Sequence, residues 1–230
     1  MSKLLQALQR KLPSTLHVPG EFVALYEWIE EHGTLVQNET GLWGTLHDHS
    51  AVMKTWSESS REGGTLIEFH NFGSKDIELW LGNDELAITE RLYVFAQTGG
   101  DGSTAAFWLD DEGEQQLVHL GSGSGSTLVC TLASSPLDFL RLLAIGYDEI
   151  CWPEQFAKEP NSGLDPAVSE KDWEGVPFIH PNEKFQRWVC EHFKTTIPKN
   201  ALEIIAHPSE MGDANSQDPF WKWVNEHAGE

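Results

Sequence analysis

Tyr93-Val-Phe-Ala-Gln-Thr-Gly-Gly-Asp-Gly-Ser-Thr-Ala-Ala-Phe-Trp-Leu-Asp-Asp111 decides the fold class. Two apolar, β-prone runs flank Gly99-Gly100-Asp101-Gly102. Glycine enters positive φ without steric cost, so the four residues read as the hinge of an antiparallel hairpin. Working outward, period-two alternation predicts strands over 66–69, 77–81, 86–97, 103–109, 116–120 and 127–133. Turn chemistry separates them at Gly73-Ser74, Gly82-Asn83-Asp84, Asp110 to Glu114 and Gly121 to Ser126. Short links between successive strands predict an antiparallel meander.

Helical periodicity brackets this region. Leu4, Leu5 and Leu8 share one face of a segment over 2–11, which Leu12-Pro13 stops. Phe22, Leu25, Tyr26, Trp28 and Ile29 follow helical spacing over 20–32, with Gly33 placed as a C′ residue. After the strands, Ser135 is an N-cap, Pro136 suits N1 and Asp138 at N3 completes an acidic capping box. Leu137, Phe139, Leu140 and Ala144 are its inward residues, and Gly146 ends it.

The tail carries Phe-x-x-Trp-Val-x-Glu-His twice, at Phe185–His192 and Phe220–His227, with Trp28-Ile-Glu-Glu-His32 as a looser third copy. The i, i+3, i+4 spacing puts Phe, Trp and Val on one face, and the terminal His sits where the helix dipole favours a cation. These read as core-helix endings rather than as a repeat with a shared ligand. Asn182 and Asp218-Pro219 are the expected helix starts. Residues 34–64 show no clear period, although Trp43 and Trp56 point to packing. The expected organisation is an α+β domain over 1–157, a linker or wrapped loop over 158–176, and a helical extension over 177–230 packed on the main domain. The expected fold class is α+β, an antiparallel meander sheet flanked by helices.

Thirty-six acidic and fifteen basic side chains give a net charge of −21, and ten tryptophans supply a large packing area. Between Asp76 and Phe156 fourteen carboxylates face only Arg91 and Arg141. That sign argues against nucleic acid and against an anionic membrane surface, and favours a basic protein partner. Cys130, Cys151 and Cys190 have neither metal-ligand nor redox spacing, which is cysteine use for a reducing compartment. Lys3, Arg10 and Lys11 precede no apolar run of signal-peptide length, and no stretch reaches the length of a membrane span. The expected location is cytoplasmic.

His47-Asp48-His49 is the cluster closest to a metal motif, since alternating residues of an extended segment converge. A polar loop is the simpler reading, because the ligand set is incomplete. Gly121-Ser-Gly-Ser-Gly-Ser126 precedes a strand and has no lysine beside it, so it reads as a flexible hairpin loop rather than a phosphate cradle. Asp110-Asp111-Glu112-Gly113-Glu114 lacks the ligand alternation of a calcium loop and reads as a solvated turn. Asp101 reads as a turn former. No Gly-x-Ser-x-Gly elbow and no His-Glu-x-x-His is present. The expectation is no catalytic residue, no cofactor and no metal.

Three segments in order carry a family resemblance. Leu12-Pro13 followed by a helix with Phe22, Leu25 and Trp28 and ending at His32-Gly33 resembles the opening of the SUKH superfamily. Phe95-Ala-Gln-Thr-Gly-Gly-Asp-Gly102 resembles its strand–glycine–strand pivot. Ser134, Ser135, Leu137, Asp138, Phe139 and Leu140 are similar to its strand-then-helix close. The resemblance covers 1–150 and leaves the tail outside. It implies an antiparallel sheet flanked by helices. Its bacterial members are largely immunity proteins that neutralise toxin domains, often nucleases or deaminases, and a fungal member regulates cell-wall synthesis. The implied function is a non-enzymatic protein-binding module that neutralises a basic toxin domain, with Trp80, Tyr93, Trp108, Asp110, Asp111 and Glu112 as the candidate partner-binding residues. The alternatives are a metal-dependent hydrolase built on His47, Asp48 and His49, and a housekeeping scaffold protein.

Overall fold

Ser2 starts the first helix. Its hydroxyl accepts from the Leu5 amide and donates to Glu30 Oε1, which also receives the Leu4 amide. One carboxylate thus ties α1 (Lys3–Gln9) to α2 (Gly20–His32). The structure, a computed structural model, describes residues 2–38, 41–70, 75–165 and 177–229. Gly33 ends α2 in an extended conformation with φ −91°, not in the left-handed one expected of a C′ glycine. It is required for space: a Cβ there would collide with the Thr45 carbonyl.

The stretch that shows no clear period folds as a hairpin, β1 (Thr34–Asn38) and β2 (Gly41–Thr45), then α3 (His49–Thr55) and β3 (Ser60–Arg61); β4 (Glu68–Phe69) follows within the expected strand segment 66–69. Two predicted strand segments are helical instead. Residues 77–81 lie in α4 (Lys75–Leu81) and the start of 86–97 forms α5 (Leu86–Thr89). Ile77-Glu-Leu-Trp-Leu81 alternates on paper, but Ile77 and Leu81 are buried while Leu79 is 78% exposed. The buried pair is spaced i, i+4, which is helical.

β5 (Leu92–Gln97), β6 (Thr104–Leu109), β7 (Gln115–Leu120) and β8 (Val129–Ala133) complete a seven-stranded sheet in the order β1-β2-β4-β5-β6-β7-β8. Every pairing in it is antiparallel, so it is the expected meander. α6 (Pro136–Ile145) follows with the expected cap: Ser135 Oγ accepts from the Asp138 amide and donates to Asp138 Oδ2. β9 (Phe178–Ile179) pairs in parallel with β3 outside the main sheet. Residues 166–176, most of the expected linker, and the Gly73-Ser74 turn lie outside the described residues.

Both faces of the sheet are buried over β5 to β8. On one, Tyr93, Phe95, Phe107 and Leu117 meet α2 and α6, with the Phe22 ring 5.0 Å from Phe95 and 4.9 Å from Phe107. A register shift between Val94 and Ala96 keeps Phe95 and Ala96 on that same face. On the other, Val94, Trp108, Val118 and Leu120 meet α4 and the last helix.

The tail supplies part of both covers. α7 (Glu183–Phe193) packs on α6 and sends Phe185 against Trp28, while α8 (Pro219–His227) puts Phe220 and Trp223 against Trp108. Asn182 and Asp218 cap them as expected, accepting from the Phe185 and Trp221 amides. Asp218 Oδ2 also accepts from the Thr131 amide, which fixes α8 to the edge strand β8. The repeated ending has a local cause besides the dipole. His32, His192 and His227 each pack on the tryptophan four residues earlier, at 5.5, 5.5 and 4.9 Å between ring centroids. Among the described residues no helix is long and apolar enough to cross a membrane.

Candidate functional site

The candidate residues divide between the two ends of the central strands. At the end where β5 begins and β6 stops, the chain gathers acid. Arg91 Nε donates to the Leu109 carbonyl, its Nη2 meets Asp111 at 2.8 Å, and its guanidinium lies 5.3 Å from the Trp223 ring. Asp110 is buried and internally committed: Oδ1 accepts from the Glu112 and Glu114 amides and Oδ2 from Gln116. That fixes the β6–β7 turn so that Asp111, Glu112 and Glu114 project outward, all exposed. α5 is a single turn, about 6 Å long. It therefore holds Asp84 and Glu85 at its start close to Glu90 at its end, all three exposed. Leu86, at 69% exposure, stands among these carboxylates.

Of the six sequence candidates, Asp111 and Glu112 are on this surface. Tyr93 and Trp108 are not open to a partner. Each belongs to one of the two cores, because a strand covered on both faces buries the side chains that point either way along its middle. Burial pushes the Tyr93 hydroxyl up to about 12. Trp80 is half-buried and donates its indole N–H to the Gly121 carbonyl at 2.8 Å.

The opposite end holds the glycine hinge. Asp101 does more there than shape its own turn. Oδ1 accepts from the Ser103 amide, and Oδ2 accepts from the hydroxyls of Ser103 and Ser122 and from the Ser126 amide. Burial alone would raise its pKa, but the bonds from Ser126, Ser103 and Ser122 outweigh that and hold it at about 2. The Gly-Ser loop is therefore clasped rather than free, and an amide and a hydroxyl that could meet an outside anion serve the protein's own carboxylate.

Beside the hinge is a recess of about 190 Å³. Met53 and Trp56 of the α3 region line it together with Gly99, Gly100, Glu68 and Glu149. His47 and His49 both line it, although the segment is not extended there, since Asp48 is the N-cap and His49 the first residue of α3. Asp48 does not join them; its Oδ1 caps α3 by accepting from the Ser50 and Ala51 amides. Among the described residues, no group of three or more His, Cys, Asp or Glu could hold a metal ion. The His47 ring separates this recess from a wider cleft of about 650 Å³ lined by His32, Glu62, His180 and Lys184. His47 is 7% exposed and its Nδ1 has no hydrogen-bond partner. Burial, reinforced by His49, lowers its pKa to about 4, so the ring is neutral at pH 7. The bond with His70 holds the Glu68 carboxyl below its ordinary range, so Glu68 is ionised. Glu149 is held in place by the Gly100 amide on Oε1 and the Trp152 indole on Oε2.

No family model, no curated protein and no solved structure matches the chain.

Proposed function

We propose that the protein is a non-enzymatic binding module that captures a basic protein partner at the acidic end of its sheet. One observation carries this reading: the segments at this end of the sheet expose six carboxylates, Asp84, Glu85, Glu90, Asp111, Glu112 and Glu114, together with Leu86, and the arginine among them is already engaged by Asp111, a backbone carbonyl and Trp223. Exposed charge of one sign beside an exposed apolar side chain favours docking, since the charge steers encounter and the apolar group excludes water. The SUKH-like order of motifs extends the reading to neutralisation of a basic toxin domain, where occlusion of the toxin suffices and no reacting group is required.

The test recovers the partner on the immobilised full chain and titrates the purified pair at rising ionic strength. The expected partner is basic. Its affinity falls with salt, and the double variant Asp84→Lys, Glu112→Lys weakens it about tenfold or more, mainly through association rate. Association indifferent to both salt and charge reversal overturns the proposal.

A further inference from the structure

The recess beside the glycine hinge goes beyond that reading, since it lies at the other end of the sheet. Its volume of about 190 Å³ slightly exceeds the roughly 150 Å³ of a cavity that admits benzene, so it fits a compact organic group. Its chemistry is one-sided. Trp56 and Met53 are 50% and 47% exposed, unusual for such large apolar side chains. The same lining holds two carboxylates, Glu68 and Glu149, the neutral His47 ring, more than nine-tenths buried, and the His49 ring. Of the nearby basic side chains, Arg61 is not in the lining; it is ion-paired with Asp148 and lies 4.4 Å from the Trp56 ring centroid. An occupant must therefore donate hydrogen bonds, carry positive charge and cover an indole and a thioether.

We propose that this recess binds a small organic cation, a guanidinium or primary ammonium on a short apolar stem. The stem lies against Trp56 and Met53, where stacking and burial favour it. The cationic N–H groups reach Glu68 and Glu149, and the neutral His47 ring adds no opposing charge to the wall. The same chemistry is offered by a free amine or guanidine and by an arginine side chain.

The experiment titrates the full chain with n-propylguanidinium and, as the charge-reversed control, butyrate, following the Trp56 indole and the Gly99 and Gly100 amides by NMR. Saturable shifts with the guanidinium alone are expected. Glu68→Gln and Trp56→Leu, both at partly exposed positions, should each weaken binding about tenfold with the fold intact by circular dichroism. A parallel titration with N-acetyl-arginine methylamide separates the sources. Binding equal to that of n-propylguanidinium indicates a protein side chain, and exclusion of the peptide unit indicates a free ligand. No saturable shift, equal binding of butyrate, or unchanged affinity in both variants overturns the proposal. Asp84→Lys, Glu112→Lys leaves this binding unchanged, so this proposal and that of the acidic end fail separately.

Discussion

His119 is fully buried between the Leu128 carbonyl and the Thr98 hydroxyl. The Leu128 carbonyl can only accept, so Nδ1 carries the proton and donates to it at 2.8 Å. Nε2 therefore accepts from the Thr98 hydroxyl at 2.9 Å. Burial lowers the ring's pKa from 6.5 to about 4. The unfolded chain thus binds a proton that the folded chain refuses between those values. Its contribution to stability is fully present above about pH 6.5 and is lost as pH falls to about 4, a loss of about 3 kcal/mol. His47 acts in the same direction over the same window. Glutamine can also accept from Thr98 and donate to Leu128, so His119→Gln should flatten the dependence of unfolding free energy on pH between 6.5 and 4 by about one proton. Denaturant titrations across that range measure it. A slope identical to that of the parent chain would show that the His119 proton is not linked to folding. Neither this role nor the clasp made by Asp101 was legible in the sequence, because the partners are distant: Ser122 and Ser126 stand more than twenty positions from Asp101.

The α4 segment shows where periodicity misleads at the scale of elements. Ile77, Leu79 and Leu81 mimic a strand because an exposed leucine falls on the alternating position. The fold buries Ile77 and Leu81 and leaves Leu79 in solvent. Leu79→Glu should therefore change stability by less than about 0.5 kcal/mol, while Ile77→Glu, which buries a charge, should abolish cooperative unfolding or cost more than about 3 kcal/mol. Thermal melts of the two variants decide it; equal damage would place Leu79 in the core. Strands 92–97, 104–109, 115–120 and 129–133 were legible because glycine and aspartate punctuate them. The β1–β2 hairpin was not, since most of its side chains are half-buried and show no apolar alternation.

At the scale of the whole molecule, the tail closes a three-layer arrangement. α7 adds to the helical layer on one face, and α8 covers the other, where Phe220 and Trp223 lie on Trp108. Without α8, Trp108 and its neighbours on that face would keep only the cover of α4, leaving an apolar patch that a monomer does not leave open. A chain ending at Gly163 should bind a hydrophobic dye and self-associate, and should not unfold in a single cooperative transition, as scanning calorimetry and light scattering will show. A soluble, cooperative truncated chain would make the tail dispensable.

The sequence by itself determined the antiparallel class, the capped helices and the excess of negative charge. Each of these is a local property of neighbouring residues: φ freedom at a turn, a side chain reaching its own helix start, a count of ionised groups. The tertiary structure alone decided that both faces of β5 to β8 are covered, that Tyr93 and Trp108 are interior, and that His47, Glu68 and Glu149 line one recess beside the hinge. Those depend on which distant segments share the same space, and burial of apolar area, which chooses among the possible pairings, is a property of the whole chain.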